Sequence, residues 1–141
     1  GGLPMGGFLV NEKCRNVLGA GMHGSTFGGN PVVCAGGRVV LETVMQPGFL
    51  EAVAEKGEYL RRRLESMPHV EEVRGLGMML GVRLSDGISA REVAEKGVEK
   101  GLLILTAKTL LRLLPPLNIT QEEMDKGLAI LENVLKGWTN P

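Results

Sequence analysis

The chain has 141 residues, of which 43% are hydrophobic and 23% charged, a composition typical of one soluble globular domain. Its 16 basic and 16 acidic side chains cancel, so no net charge favours nucleic acid or an anionic membrane, and no apolar run approaches the roughly 20 residues that span a bilayer. Two cysteines, Cys14 and Cys34, are too few for a disulfide framework or a zinc site, so we expect free buried thiols, no metal site and a cytoplasmic location.

Residues 1–30 form a glycine-punctuated loop region. Within it, residues 7–10 are apolar enough to form a short strand, and residues 12–18 predict one helical turn. The region has too few apolar positions to fold without an outside surface. Because the chain opens on GGLP and not on an initiator methionine, we expect a fragment of a longer protein, with residues 1–30 as the remnant of a larger domain.

A helix is predicted next, from residue 31 to about residue 44. Asn30 is a favourable N-cap, and Pro31 suits the first helical position. Few of the helix residues are polar, which predicts burial on most sides, and the small residues 34–37 would let another backbone pack closely. We therefore interpret residues 31–48 as an interdomain helix.

Residues 49–141 predict a small α/β domain, with a mixed or antiparallel sheet and flanking helices. The first helix has an apolar face opposite a charged one, on which Arg61, Arg62 and Arg63 should be solvated. Its apolar positions are Leu50, Val53, Ala54, Gly57, Leu60 and Leu64. Residues 70–74 and 78–84 then predict a β-hairpin through residues 75–77, with both methionines of the second strand filling the core.

Two capping boxes, Ser89 with Glu92 and Thr120 with Glu123, open the last two predicted helices. Between these helices, residues 102–105 and 110–114 predict short apolar strands. The positions expected to face the core are Val93, Ala94 and Val98 of the first helix and Met124, Leu128, Leu131 and Leu135 of the second.

Glycines at positions 19, 21 and 24 match the dinucleotide-binding pattern G-x-G-x-x-G. That pattern binds a pyrophosphate only when a strand precedes it and a helix begins inside it. Here the helix is postponed to residue 31, and the acidic residue about twenty positions on, Glu42, lies inside a helix. We therefore reject a nucleotide site.

The segment of residues 23–31, HGSTFGGNP, has the parts of an anion site. Its glycines let the backbone approach a ligand, Ser25 and Thr26 supply adjacent hydroxyls, and a helix N-terminus with free N–H groups follows. The alternative, a flexible loop whose hydroxyls cap local turns, stays open. His23 alone is only a weak candidate for an acid or base.

Arg112 lies among apolar residues and prolines in the segment of residues 110–117. A guanidinium in such surroundings extends to solvent, pairs with a carboxylate of the chain, or binds a ligand carboxylate through its planar fork. The sequence leaves the internal ion pair and the ligand site as equal alternatives.

Four motifs together resemble the class III pyridoxal-phosphate-dependent aminotransferases, of fold type I, over the whole chain. They are GGLPMGG (residues 1–7), HGSTFGGNP (residues 23–31), RGLGMMLG (residues 74–81) and RLLPPL (residues 112–117). Within the family, the loop motif favours members that act on N2-acetylornithine over those that act on ornithine, succinylornithine or 4-aminobutyrate.

The resemblance implies a role for three residues. Thr26 would donate its hydroxyl to the phosphate of pyridoxal 5'-phosphate in the neighbouring subunit of a homodimer, and Ser25 would contact the acyl-ornithine substrate in the same composite pocket. Arg112 would bind the α-carboxylate of the amino acid or 2-oxo acid. The reaction implied is amino transfer between N2-acetylornithine and 2-oxoglutarate, which is a step of arginine biosynthesis.

The lysine that would bind the cofactor is expected just before residue 1, so we assign no catalytic residue and expect the isolated fragment to be inactive. The lysines present are predicted on helix surfaces or, for Lys108, in a loop. A non-catalytic binding or dimerisation module, made of the small domain alone, is the alternative from another functional class.

Overall fold

A computed structural model describes residues 2–138 of the chain. The chain divides into two compact units, Gly1–Phe49 and Leu50–Pro141. The first unit is mostly loop, and the second contains a four-stranded sheet with its helices. Within residues 2–138, no helix combines the length and the apolar character needed to cross a bilayer.

The first unit contains one short helix and one long one. A 3₁₀ helix, Glu12–Cys14, occupies part of the predicted turn at residues 12–18. The strand predicted at residues 7–10 does not form, because the described part of this unit offers no neighbouring strand to pair with it. The cysteines are free, but the prediction that they are buried is wrong, since Cys14 is exposed and Cys34 is half-buried.

Helix α1, Pro31–Val44, has the bounds that the sequence predicted. The predicted burial is wrong, because no residue of this helix is buried and Val32 is 69% exposed. Its small residues accommodate side chains of the N-terminal loop and not another backbone. A Cβ atom at Gly36 would lie 2.7 Å from Cδ1 of Leu3, and Met5 packs in the same way over Gly37.

The elements that follow form an antiparallel sheet with flanking helices, which confirms the predicted small α/β domain. They are α2 (Phe49–Glu65), β1 (Val70–Leu76), β2 (Met79–Leu84), α3 (Ala90–Glu99), β3 (Leu105–Ala107), β4 (Leu110–Leu113) and α4 (Gln121–Lys136). The strand order is β1-β2-β4-β3, and each neighbouring pair is antiparallel.

The core of this unit lies on one face of the sheet. Alternation along β2 places Leu80, Val82 and Leu84 inward, as predicted. The helices contribute buried side chains of α2, α3 and α4, namely Leu60, Leu64, Val93, Ala94, Met124, Leu128, Leu131 and Leu135. Two expected core residues, Met79 and Val98, are exposed instead. The opposite face of the sheet is left uncovered by these helices.

The β1–β2 hairpin is longer and its turn tighter than the sequence predicted. Leu76 pairs with Met79, so the turn is formed by Gly77 and Met78 alone. Gly77 has φ of +54°, while Gly75 lies inside β1 with φ of +136°. Helix α2 packs against this turn at Gly57, where an added Cβ atom would overlap the Gly77 carbonyl group.

Strand β3 begins later than predicted. Leu102 donates its N–H to the Gly97 carbonyl oxygen at 2.8 Å, and Ile104 is buried, so residues 102–104 leave helix α3 and enter the core before the strand begins. The turn into β4 places Lys108 at φ of +57°. The capping interactions appear in both predicted positions, with the complete box at Thr120 and Glu123.

Two of the three arginines on α2 make specific contacts, so the prediction that they are solvated is wrong for them. Arg61 donates to the carbonyl oxygens of Val73 at 2.6 Å and Gly75 at 2.9 Å. Arg63 donates to the Tyr59 hydroxyl at 2.8 Å. The pKa of Asp125 on α4 is lowered mainly by the hydrogen bond that the Tyr59 hydroxyl donates to it, and less by the charge of Arg63. These contacts fix α2 to the edge of β1 and to α4.

Candidate functional site

Ser25 and Thr26 lie side by side on an exposed loop that turns tightly before α1. A Cβ atom at Gly28 would lie 2.9 Å from Cβ of Ser25, and the Asn30 N–H donates to the Phe27 carbonyl oxygen at 3.3 Å. Within residues 2–138, neither hydroxyl has a hydrogen-bond partner. Both are therefore available to a ligand, as an anion site requires.

The N-terminus of α1 differs from the expectation of free N–H groups. The Asn30 side-chain oxygen accepts from Val32 at 3.0 Å and from Val33 at 3.4 Å, and Pro31 has no N–H. The Cys34 N–H is used within the helix. Because the first turn is satisfied internally, an anion here would bind the hydroxyls and the loop N–H groups of residues 26–29, which donate to no acceptor in the described chain.

Arg112 lies on β4, opposite Gly81 of β2 on one side and Leu105 of β3 on the other. Its side chain is on the uncovered face of the sheet, since its neighbour Leu111 is fully buried on the core face. No carboxylate of the described residues lies within 4.0 Å of its guanidinium. The internal ion pair, one of the two alternatives, is therefore not present in residues 2–138.

A cavity of about 590 Å³ lies beside this arginine, within the second unit. Its walls are mostly apolar and come from residues 102–105, residues 113–116, Ile119, one face of α4, Leu60 and Val98. Among residues 2–138, Arg112 and Glu123 are the only charged residues that line it. Glu123 accepts the N–H of Thr120 at 2.9 Å and its hydroxyl at 2.8 Å, and these bonds lower the Glu123 pKa. Arg112, in contrast, has no carboxylate within 4.0 Å among the described residues.

The lysines of the described chain lie on its surface or make structural contacts, and none is buried. Lys56 donates to the carbonyl oxygens of Leu117 at 3.4 Å and Ile119 at 2.7 Å, so it is a structural residue and not a solvated one. Lys96 lies 4.0 Å from the centre of the Trp138 ring. Residues 2–138 also contain no cluster of three or more histidine, cysteine or acidic side chains arranged to bind a metal ion.

The motif of residues 74–81 contains Arg74 but gave it no role, and the strand register places it on the same face of the sheet as Arg112. The register pairs Arg74 with Gly81, which in turn pairs with Arg112. The two arginines are 38 positions apart in the numbering, so only the strand pairing shows their relation. Alternation along β1 was a partial indication. Val73 is apolar and buried, so the next residue, Arg74, is expected to project from the opposite face of the sheet.

Comparison with known families and sequences gives consistent results. The family model described as "Aminotransferase class-III" matches residues 1–135. The acetylornithine aminotransferase of Haemophilus ducreyi is 47% identical over 135 residues, which cover 96% of this chain and 34% of that protein. The enzyme of the same name from Caldanaerobacter subterraneus is 45% identical, covering 96% and 35% respectively. The chain thus spans about a third of the length of these relatives.

Solved structures of similar fold carry related names. The acetylornithine aminotransferase of Elizabethkingia anophelis superposes with a TM-score of 0.76 at 30% identity, over 92% of this chain and 36% of that one. The ornithine delta-aminotransferase of Plasmodium falciparum gives a TM-score of 0.75, also at 30% identity, over 91% and 35%.

Proposed function

Because the chain belongs to the class III aminotransferase family, we propose that it is the C-terminal part of an enzyme that moves an amino group between N2-acetylornithine and 2-oxoglutarate. The observation that carries this proposal is 47% identity over 96% of the chain to a protein named acetylornithine aminotransferase. Pyridoxal phosphate is the cofactor of the family, and it supplies the electron sink for amino transfer.

Thr26 is the residue of this chain that we assign to the cofactor phosphate. Its hydroxyl is exposed and unpartnered within the described residues, and the N–H groups of residues 26–29 are free on the same loop. A hydroxyl and free N–H groups suit a phosphate, which accepts several hydrogen bonds. We assign Ser25 to the acyl-ornithine substrate on the same loop.

We assign Arg112 to the α-carboxylate of the amino acid or 2-oxo acid. The support is its exposed guanidinium on the open face of the sheet, with no carboxylate within 4.0 Å in the described chain. An arginine binds a carboxylate through two parallel hydrogen bonds, which fixes both the position and the orientation of the substrate.

Assembly and location form the rest of the proposal. We infer a homodimer in which the loop of Ser25 and Thr26 contributes to the neighbouring subunit's site. We also infer a cytoplasmic location, which suits the two free cysteines of the chain. Because the chain spans 34% of the length of the Haemophilus ducreyi relative, we further propose that the cofactor lysine belongs to another part of the complete enzyme and that the isolated chain is inactive.

An enzyme acting on ornithine is the second candidate, because an ornithine delta-aminotransferase superposes almost as well as an acetylornithine aminotransferase. The two are separated by a steady-state assay of the complete enzyme with 2-oxoglutarate and four amino donors. The donors are N2-acetylornithine, N2-succinylornithine, ornithine and 4-aminobutyrate. We expect the highest kcat/KM with N2-acetylornithine. A higher value with ornithine would replace the first proposal with the second.

Replacing Thr26 by valine in the complete enzyme should weaken binding of pyridoxal phosphate by about 10-fold to 100-fold. The expected loss is one hydrogen bond to a charged acceptor, worth roughly 1.5–3 kcal/mol. Fluorescence titration of the cofactor-free enzyme measures this dissociation constant. Thr26→Ser keeps the hydroxyl and should stay within about threefold of the wild type, an energy difference below about 0.7 kcal/mol. Equal weakening in both variants would contradict a role for the hydroxyl.

A further inference from the structure

Strand β1 forms one edge of the sheet, and its outer side has no partner strand in the described part of the chain. An edge strand presents backbone N–H and C=O groups that can pair with a strand of another molecule. The two-residue turn of the hairpin fixes which groups these are. Leu76 and Met79 close the turn and therefore exchange hydrogen bonds across the ladder, and this orientation alternates along the strand. The backbone groups of Arg74 thus face β2, whereas those of Val73 and Gly75 face outward.

Arg61 of α2 binds both of these outward carbonyl groups. Its Nη1 donates to the Val73 carbonyl oxygen at 2.6 Å, and its Nη2 donates to the Gly75 carbonyl oxygen at 2.9 Å. The Arg61 side chain is only 26% exposed, and its Nε lies 3.9 Å from Oε2 of Glu58, one turn earlier on the helix. Helix α2 therefore holds the guanidinium against the edge. Because an incoming strand has to donate its own N–H groups to the same two oxygens, Arg61 competes directly with strand addition.

The edge that Arg61 covers is complementary to itself. When two copies of β1 pair antiparallel about a two-fold axis at Val73, the outward N–H and C=O groups of each Val73 meet those of the other. The same register places Glu72 of each copy opposite Arg74 of the other, so that opposite charges face each other across the new pair. Glu72 also accepts from Arg74 and Arg83 of its own chain, and in the pair these charges of both copies form one network.

We propose that Arg61 keeps the β1 edge closed, and that this edge, once released from Arg61, is an interaction surface for β1 of a second copy of the chain. The surface opens when the guanidinium is removed or when α2 moves away from the hairpin. Gly57 holds the helix close, because it packs on the carbonyl group of Gly77 one turn before Arg61. The packing of α2 on the hairpin turn and the closure of the edge are therefore parts of one device.

Replacing Arg61 by methionine in the 141-residue chain removes both donors and keeps most of the apolar stem. Sedimentation equilibrium over a range of protein concentrations measures self-association. We expect the dissociation constant of Arg61→Met to be at least about fivefold lower than that of the wild type, because two backbone hydrogen bonds form at the released edge. Arg61→Lys supplies one donor atom for two carbonyl groups and should be intermediate. Arg62→Met is the matched control and should match the wild type, since Arg62 is 69% exposed and its Nε donates to Glu58 within the same helix.

Amide hydrogen exchange of ¹⁵N-labelled protein locates the contact. The Val73 N–H faces outward, so its exchange in Arg61→Met should slow as the protein concentration rises. The Arg74 N–H is already bound in the β1–β2 ladder, and its exchange should not follow the concentration. Adding Arg74→Glu to Arg61→Met puts like charges opposite each other in the proposed register and should return the dissociation constant to the wild-type value. The dispersion of the amide signals shows whether each variant is folded.

A folded Arg61→Met chain that associates no more tightly than the wild type would overturn the proposal. Tighter association of Arg62→Met to the same extent, or tighter association of Arg61→Met without slower exchange at Val73, would also overturn it, because the contact would then lie elsewhere on the chain. If Arg61→Met does not fold, Arg61→Lys decides the question. Association equal to that of the wild type would reject the closed edge, and tighter association with slower exchange at Val73 would support it.

Discussion

Replacing Gly57 by alanine should lower the free energy of unfolding of the second unit by about 2 kcal/mol. The added methyl group would overlap the carbonyl group of Gly77, and this neighbour is backbone in a two-residue turn and not a flexible side chain. Overpacking costs typically about 1–3 kcal/mol, and the upper end applies where the backbone must shift. The better helix propensity of alanine offsets about 1 kcal/mol of this cost, so the net loss in the free energy of unfolding is about 2 kcal/mol.

Two other helical glycines make a matched series with the same chemical change. A Cβ atom at Gly127 of α4 would lie 3.5 Å from Cδ1 of Leu102, which is an ordinary contact. Gly127→Ala should therefore raise the free energy of unfolding by about 0.5–1 kcal/mol through helix propensity alone. At Gly97 of α3 the nearest atom is the Leu102 carbonyl oxygen at 3.3 Å, so Gly97→Ala should lie between the other two.

Urea denaturation measures all three variants through one signal. Trp138 is the only tryptophan of the chain and is buried in the core of this unit, so its fluorescence reports the unfolding of that core. The midpoint should fall for Gly57→Ala and rise for Gly127→Ala at an unchanged slope. A Gly57→Ala variant as stable as Gly127→Ala would contradict the close packing of α2 against the hairpin turn.

The sequence predicted the elements of the second unit well because their signals are local. Capping residues set the starts of α3 and α4, and alternation along β2 identified the buried residues. The errors occur where partners distant in the chain decide the structure. Arg61 has the neighbours of a solvated residue, yet it binds two carbonyl oxygens of β1.

The first unit also shows that sequence predicts an element better than it predicts the contacts of that element. The start of α1 was predictable from Asn30 and Pro31, but the burial of the helix was not, because burial depends on what packs around it. The apolar residues 7–10 likewise have the composition of a strand, but the described part of this unit contains no strand that could pair with them. The periodicity of the sequence therefore predicts an element and which residues share a face. What packs against that face is determined by the rest of the fold.

For the candidate site, the motifs identified side chains that are free to bind a ligand within the described residues. The motifs did not predict how the surrounding residues are arranged. Thr26 and Arg112 are exposed, and their side chains have no hydrogen-bond partner in the described residues. The use of the α1 N–H groups by Asn30 depends on the orientation of a side chain. The pairing of Gly81 with both Arg74 and Arg112 depends on strand register. A motif records neither of these.

Replacing Arg112 by glutamine in the complete enzyme should lower kcat/KM by about 100-fold to 10,000-fold. Two hydrogen bonds to a carboxylate, each worth roughly 1.5–3 kcal/mol, would be lost together. Since the carboxylate is bound both before and during the reaction, most of the effect should appear in KM. Arg112→Lys keeps the charge without the planar fork, so its kcat/KM should be intermediate.

The stability of the Arg112 variants separates binding from folding. Arg112 makes no ion pair within residues 2–138, so its replacement should leave the urea midpoint of the chain unchanged. Arg62→Gln is the control, because Arg62 is 69% exposed on α2 and should change neither kcat/KM nor the midpoint. If Arg112→Gln kept kcat/KM within about threefold of the wild type, an energy below about 0.7 kcal/mol, the arginine would not be the carboxylate site. A lowered midpoint together with lowered activity would assign it to the fold instead.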